Sequence, residues 1–169
     1  MIKKATRLVA VSLALCFVLV LSANTIKVQA IATKTPITYE FTYTDIGLPE
    51  KEWIDDDGIA HMRQTPHLGE VSGELIGITS YTGNLNLNLA TFDGDGQGFQ
   101  ILEVEYGSLS GIFEGVMAFE INGGILTGET VCQGSGDFEG MKLMGTISGS
   151  LLVMEPVFTF VGIILNPHG

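Results

Sequence analysis

The stretch NLNLNLA, residues 84–90, alternates strictly: Asn84, Asn86 and Asn88 fall on one side, Leu85, Leu87 and Leu89 on the other. A side-chain period of two belongs to an extended strand with one wet and one dry face, not to a helix. Outward from it, no segment after residue 31 shows a convincing helical period, and period-two patterns recur. They place strands near residues 37–43, 58–64, 70–79, 82–91, 98–106, 108–121, 124–133, 138–149 and 150–161, most of them separated by Gly, Asn or Asp. Many short strands at this spacing indicate an all-β sandwich or barrel.

A short repeat selects the barrel. Gly-x-apolar-x-Gly occurs as GELIG (73–77), GSLSG (107–111), GIFEG (111–115), GILTG (124–128), GDFEG (136–140) and GTISG (145–149). On a strand, positions i, i+2 and i+4 share a face, so each copy is expected to set glycine, a large residue and glycine in one column. Such columns permit the tight coiling of a closed sheet and leave gaps for bulky neighbours. In the C-terminal LLVMEPVFTFVGIILNPHG, Pro156 marks a bulge, a strand start or an edge.

The N-terminus addresses the chain for export. MIKKATR is a basic head, LVAVSLALCFVLVLSA (8–23) an apolar run, and Val28-Gln29-Ala30 carries small residues where a signal peptidase needs them. Cleavage is expected after Ala30, with Ala23 the alternative; the run is short of the ~20 residues that span a bilayer, so membrane contact is expected only if this segment stays uncleaved. The division is therefore a signal-peptide helix at 1–30 and one domain at 31–169, secreted or extracytoplasmic.

Beyond residue 30 the chain has four basic residues, Lys34, Lys51, Arg63 and Lys142, against nineteen acids, a net charge of −15. That field disfavours nucleic acid and anionic lipid as partners. Cys132 is the one cysteine left, so neither an internal disulfide nor a cysteine-based zinc site is available, and a small core hydrophobe is its plain role.

Motifs for chemistry are sparse. Gly134, Gly136 and Gly140 are spaced wrongly for a dinucleotide loop, and no helix follows to meet a phosphate. DGDGQG (93–98) sets Asp93 and Asp95 at the first and third positions of a calcium loop, but Gln97 and Val104 stand at positions five and twelve. A hairpin turn is the plainer reading, weak calcium binding the other. Glu103 and Glu105 share a strand face, as do His61 and Arg63. For Arg63 the expectation is an ion pair with one of the many acids; the functional alternative is an anion anchor in a cavity. His61, Arg63, Asn84 and Asn86 are the candidate ligand-binding residues. No motif calls for a cofactor.

GSGDFEGMKLMGTISG (134–149) resembles the glycine-rich hairpin of the allene oxide cyclase and dirigent barrels, matching its Gly-x-Gly-x-Phe-x-Gly core at Gly134, Gly136, Phe138 and Gly140. LSGIFEGVMAFEINGGILTGETV (109–131) and GIAHMRQ (58–64), after Trp53, are similar to strands of bacterial and archaeal relatives. The resemblance implies an eight-stranded antiparallel barrel, eight to nine strands in all, with an apolar cavity and assembly as a trimer or dimer. YEFTYTDIGLP (39–49) is similar to the first strand and loop of plant allene oxide cyclases at Tyr39, Glu40, Asp45, Gly47 and Pro49. By that resemblance Glu40 polarises the substrate end of the cavity and Pro49 belongs to a loop holding a catalytic water. Thr42 and Leu48 stand where that family has an asparagine and a serine, a departure at the water site; Glu40 and Pro49 are the candidate catalytic residues by resemblance.

Three functions follow as alternatives: a barrel that binds a small apolar or amphipathic ligand in its lumen, which is favoured; a cyclase or isomerase acting by confinement, with Glu40 as the electrostatic group; and a packed structural protein. A lumen filled by Phe113, Met117, Phe119, Phe138 and Met144 would exclude the first two.

Overall fold

The computed structural model describes residues 31–167. The signal segment with both cleavage sites, and His168, lie outside the described residues. Within them the chain forms nine strands and no helix: β1 (Thr33–Ile46), β2 (Lys51–Ile54), β3 (Ile59–Gly73), β4 (Ile76–Asn88), β5 (Gly94–Tyr106), β6 (Leu109–Asn122), β7 (Ile125–Gly136), β8 (Lys142–Ser150) and β9 (Val157–Asn166). Strands β3 to β9 pair with their sequence neighbours, and β1 lies between β9 and β3. The result is an eight-stranded antiparallel barrel, with β2 an extra strand laid along the first half of β3.

Alternation puts one row of each strand inside. From β1 come Ile37, Tyr39 and Phe41; from β6 Phe113, Met117 and Ile121; from β9 Phe158, Phe160 and Ile164, all buried. Leu85 and Leu87 pack on this core, while Asn84 and Asn86 take the opposite face, as their alternation requires. Closure leaves no free edge among these eight strands, which removes the exposed backbone groups an open sheet presents.

The glycine repeat has two geometries. GIFEG, GILTG and GTISG lie in or at the start of β6, β7 and β8, with Phe113, Leu126 and Ile147 pointing inward as expected. GELIG, GSLSG and GDFEG instead cross the β3–β4, β5–β6 and β7–β8 turns. Gly107 (φ 62°) and Gly136 (φ 69°) occupy the left-handed region there, where a side chain is strained. The strands expected at 70–79 and 138–149 are corrected accordingly: each contains a turn. The strand expected at 150–161 starts only at Val157, because Pro156 cannot donate to a ladder.

In-strand glycines also make recesses for rings. A Cβ at Gly145 or Gly162 would fall 2.5 or 2.4 Å from Phe160 Cζ, and one at Gly96 2.3 Å from Phe119 Cζ. An eight-stranded barrel has an interior only just wide enough for side chains. Removing Cβ atoms opposite each ring lets aromatic residues fit within it.

A bulge resets the phase of β3. Its register on β4 slips between Met62 and Thr65, with Gln64 at φ 54°. Before the slip Ala60 and Met62 face inward; after it Thr65, His67 and Val71 do. An extra residue in one strand has this effect in any antiparallel pair.

The two ends of the barrel differ. At one, Leu75 and Phe138, both from turns, fold under the strands, and Phe138 stacks on Phe113 with centroids 4.6 Å apart. Halfway up, a buried polar layer crosses the lumen: Gln100 Nε2 donates to Thr79 Oγ1 (3.2 Å) and Gln100 Oε1 faces Thr130 Oγ1 (3.3 Å). Cys132 lies under this layer, fully buried, its thiol pushed up by burial. The other end is open.

Candidate functional site

At the open end lies a cavity of about 270 Å³, where β1, β4, β6 and β8 finish and β3, β7 and β9 begin. Its walls are apolar, with Phe41, Met117, Phe119, Ile147 and Phe158 among them, and Leu151 and Pro156 stand at the mouth from the β8–β9 loop. Leu48, Leu152 and Met154 in the loops at this end are exposed, alongside the exposed acids Asp45, Glu50 and Glu155.

Four hydroxyl-bearing side chains, besides His67 and Asn84, interrupt the apolar wall or lie just below it. The hydroxyls of Tyr39, Tyr43, Tyr81 and Thr65 are buried, and no described residue hydrogen-bonds to any of them. Tyr43, Tyr81 and Thr65 line the cavity; Tyr39 lies deeper, stacked on Phe160 at 4.6 Å. Burial raises all three phenols well above their ordinary range, so they remain protonated. Most buried polar groups find partners, so four such hydroxyls mark this region off from an ordinary core.

The rings of Tyr43 and Tyr81 flank His67. Its ring centroid is 5.0 Å from that of Tyr43 and 5.5 Å from that of Tyr81. His67 Nδ1–H donates to the Thr65 carbonyl at 3.1 Å, and burial lowers the ring's pKa. Folding therefore disfavours the charged ring. Thr65 stands opposite Gly83, and a Cβ at Gly83 would fall 2.0 Å from Tyr81 Oη. The Tyr81 hydroxyl thus reaches the rung that carries Thr65.

This arrangement gives a signed pH dependence. An unfolded histidine titrates near ~6.5. The folded His67 binds its proton less tightly, so stability falls as pH drops below that value, until the folded ring itself titrates; above it the effect is absent. Urea unfolding between pH 7.5 and 5.5 should show the parent losing stability relative to His67→Gln, by at most about 1.4 kcal/mol per pH unit. Parallel curves would remove His67 from the account.

Of the site residues expected from sequence, Asn84 reaches the cavity and the others lie elsewhere. Glu40 is exposed on the outside of β1, because Tyr39 and Phe41 take the inward positions. It therefore does not polarise the cavity. Pro49 is half-buried in the β1–β2 loop and is not part of the cavity wall. His61, Arg63 and Asn86 do come together, but on the outer face beside Trp53. Trp53 stacks on His61 at 4.7 Å and lies 5.0 Å from the Arg63 guanidinium.

Arg63 donates to the carbonyls of Met62 (2.9 Å) and Leu85 (3.0 Å) and to Asn86 Oδ1 (2.7 Å). No carboxylate is among its partners in the described residues, so the expected ion pair is replaced by a clamp across the β3 bulge. His61 Nε2 is 3.1 Å from Asp55 Oδ2. Asn84 Oδ1 accepts the Gln64 N–H at the bulge (3.1 Å), and Asn84 alone of the four reaches the cavity rim.

Asp93 and Asp95 diverge. Asp93 accepts the Gly123 N–H at 2.7 Å, the main cause of its lowered pKa, and ties the β4–β5 loop to the β6–β7 turn. Asp95 accepts from Asn86 Nδ2 (3.1 Å). Among the described residues no group of three or more His, Cys, Asp or Glu is placed to hold a metal ion. Glu103 and Glu105 are both exposed outside β5.

The five residues named as a filled lumen are divided. Phe113 and Phe138 close the far end, Met117 and Phe119 wall the cavity, and Met144 lies outside on β8. The barrel is packed at one end and hollow at the other.

No family model matches the chain, and no curated protein matches it. Among solved structures it is similar to a protein of unknown function from the DUF3224 family of Shewanella oneidensis MR-1, with a TM-score of 0.56 and 17% identity, covering 77% of this chain and 97% of that one. A likeness at that identity bears on the fold alone, and the barrel is what the two share.

Proposed function

We propose that this protein is an exported carrier or receptor for a small apolar molecule, held in the open end of the barrel. The observation that supports it is the cavity of about 270 Å³ in a wall of aromatic and aliphatic side chains. An apolar cavity of ~150 Å³ accommodates benzene, and drug-sized sites begin near 300 Å³. The guest is therefore a single ring or a short chain. Export rests on the leader-like segment at residues 1–30.

Confinement chemistry of the allene oxide cyclase kind is the weaker reading, since Glu40 lies on the outer face. The test of binding is a titration with ethylbenzene, followed on the methyl resonances of Ile147 and Leu126. Saturation with a dissociation constant below roughly 1 mM is expected. Shifts that spread evenly over the surface, or none, would return the barrel to a structural role.

A further inference from the structure

We infer that the guest carries one uncharged hydrogen-bond acceptor, a carbonyl oxygen being the fitting group, and that the hydroxyls of Tyr81 and Thr65, with Tyr43 beside them, receive it. This deepens the binding reading above and rests on it.

The argument begins from donors without acceptors. Tyr43, Tyr81 and Thr65 line the cavity, and the hydroxyl of each is buried with no partner among the described residues. Tyr81 and Thr65 are about nineteen-twentieths buried, at 4% and 5% exposure. A buried hydroxyl without a partner is costly, and a fold that keeps several in one place keeps them for something. The rest of the barrel shows the contrast: Thr79, Gln100 and Thr130, equally buried, bond to one another.

The character of the site selects the guest's charge. A phenol is a strong donor and a weak acceptor, so two tyrosines and a threonine favour an acceptor on the guest. No lysine or arginine lines the cavity, and Arg63 is committed outside to the carbonyls of Met62 and Leu85. A carboxylate would meet only one titratable cation, His67, whose charged form burial disfavours. The wall contains no acid either, so a cation would have no carboxylate to pair with and would leave the hydroxyl protons unbonded. A neutral acceptor satisfies the donors and carries no uncompensated charge. The spacing supports one acceptor group rather than several: Tyr81 Oη reaches the Gly83 rung, and Thr65 stands directly opposite.

Matched probes test this against a merely apolar cavity. Acetophenone and ethylbenzene have nearly the same shape, and ethylbenzene is the more hydrophobic. A greasy cavity prefers ethylbenzene; the hydroxyl cluster reverses that order. Calorimetric titration of the intact domain is expected to give acetophenone the tighter binding by about tenfold, one hydrogen bond to otherwise unpaired donors being enough. Benzoate and phenyltrimethylammonium are expected to bind more weakly than acetophenone.

Tyr81→Phe and, separately, Thr65→Val remove a hydroxyl with little change of shape, and each should erode the preference. The double variant should prefer ethylbenzene. Tighter binding of ethylbenzene by the parent overturns the acceptor proposal and leaves the apolar cavity intact. Tighter benzoate or phenyltrimethylammonium overturns the uncharged class, and an unchanged preference in all the variants overturns the hydroxyls as donors. Failure of all four probes overturns this proposal together with the binding reading.

Discussion

Phe160→Ala is expected to lower stability by about 3–5 kcal/mol, the range for deleting a fully buried ring. Phe160 is completely enclosed. One of its faces stacks on Tyr39 at 4.6 Å, and its Cζ fills the recess formed by Gly145 and Gly162, which are partners in the β8–β9 register. Glycine offers no side chain to move into the vacated space, so the cavity cannot collapse cheaply. Native domains have only about 5–15 kcal/mol in total. The melting temperature should drop by roughly 10–20 °C, and the urea midpoint should fall without a change in slope.

The converse substitution separates ring packing from backbone packing. In Gly145→Ala the new Cβ would lie 2.5 Å from Phe160 Cζ and also 2.5 Å from the Val161 carbonyl oxygen. Overpacking of this kind costs about 1–3 kcal/mol. Combining it with Phe160→Ala relieves the first contact and not the second, so the double variant should remain below Phe160→Ala alone. A double variant as stable as Phe160→Ala would mean that only the ring needs the glycine.

The sequence carries the strands well and the lumen poorly. NLNLNLA reveals both strand and facing, because its two residue types differ sharply in polarity. The glycine repeat is legible as a barrel device but not as two devices: GELIG and GIFEG look alike in composition, while one turns and the other extends. The β3 bulge is the costlier omission. It carries no glycine, the left-handed position being Gln64, so nothing local announces it. Yet it determines that Thr65 and His67 face inward while His61 and Arg63 face outward. Without that phase shift, period two sets His61, Arg63, Thr65 and His67 on one face, and nothing in the sequence separates His67 from the other two candidates. Strand β2, KEWI, has four residues and no alternation long enough to register. The inward series Tyr39, Phe41 and Tyr43 was the available clue to the site. Period two alone assigns those tyrosines to the core, and only the fold shows that their hydroxyls lack partners there.

Leu85→Trp is expected to abolish binding of ethylbenzene and acetophenone alike, raising both dissociation constants by more than about tenfold, while leaving the barrel folded. Leu85 projects into the open end from β4, two positions beyond Gly83. An indole there occupies the space a single-ring guest would take and buries its own apolar surface in exchange. The guest loses the burial that drives its binding, at roughly 25 cal/mol per Å². Because the new ring enters existing space, the stability loss should stay at or below the about 1–3 kcal/mol that overpacking a filled core costs. The pairing of effects is what identifies the cavity. Phe160→Ala weakens the fold through the packed interior, whereas Leu85→Trp should silence binding with the fold intact. Retained affinity in a folded Leu85→Trp protein would put the guest on the outer surface and leave the open end of the barrel without a role.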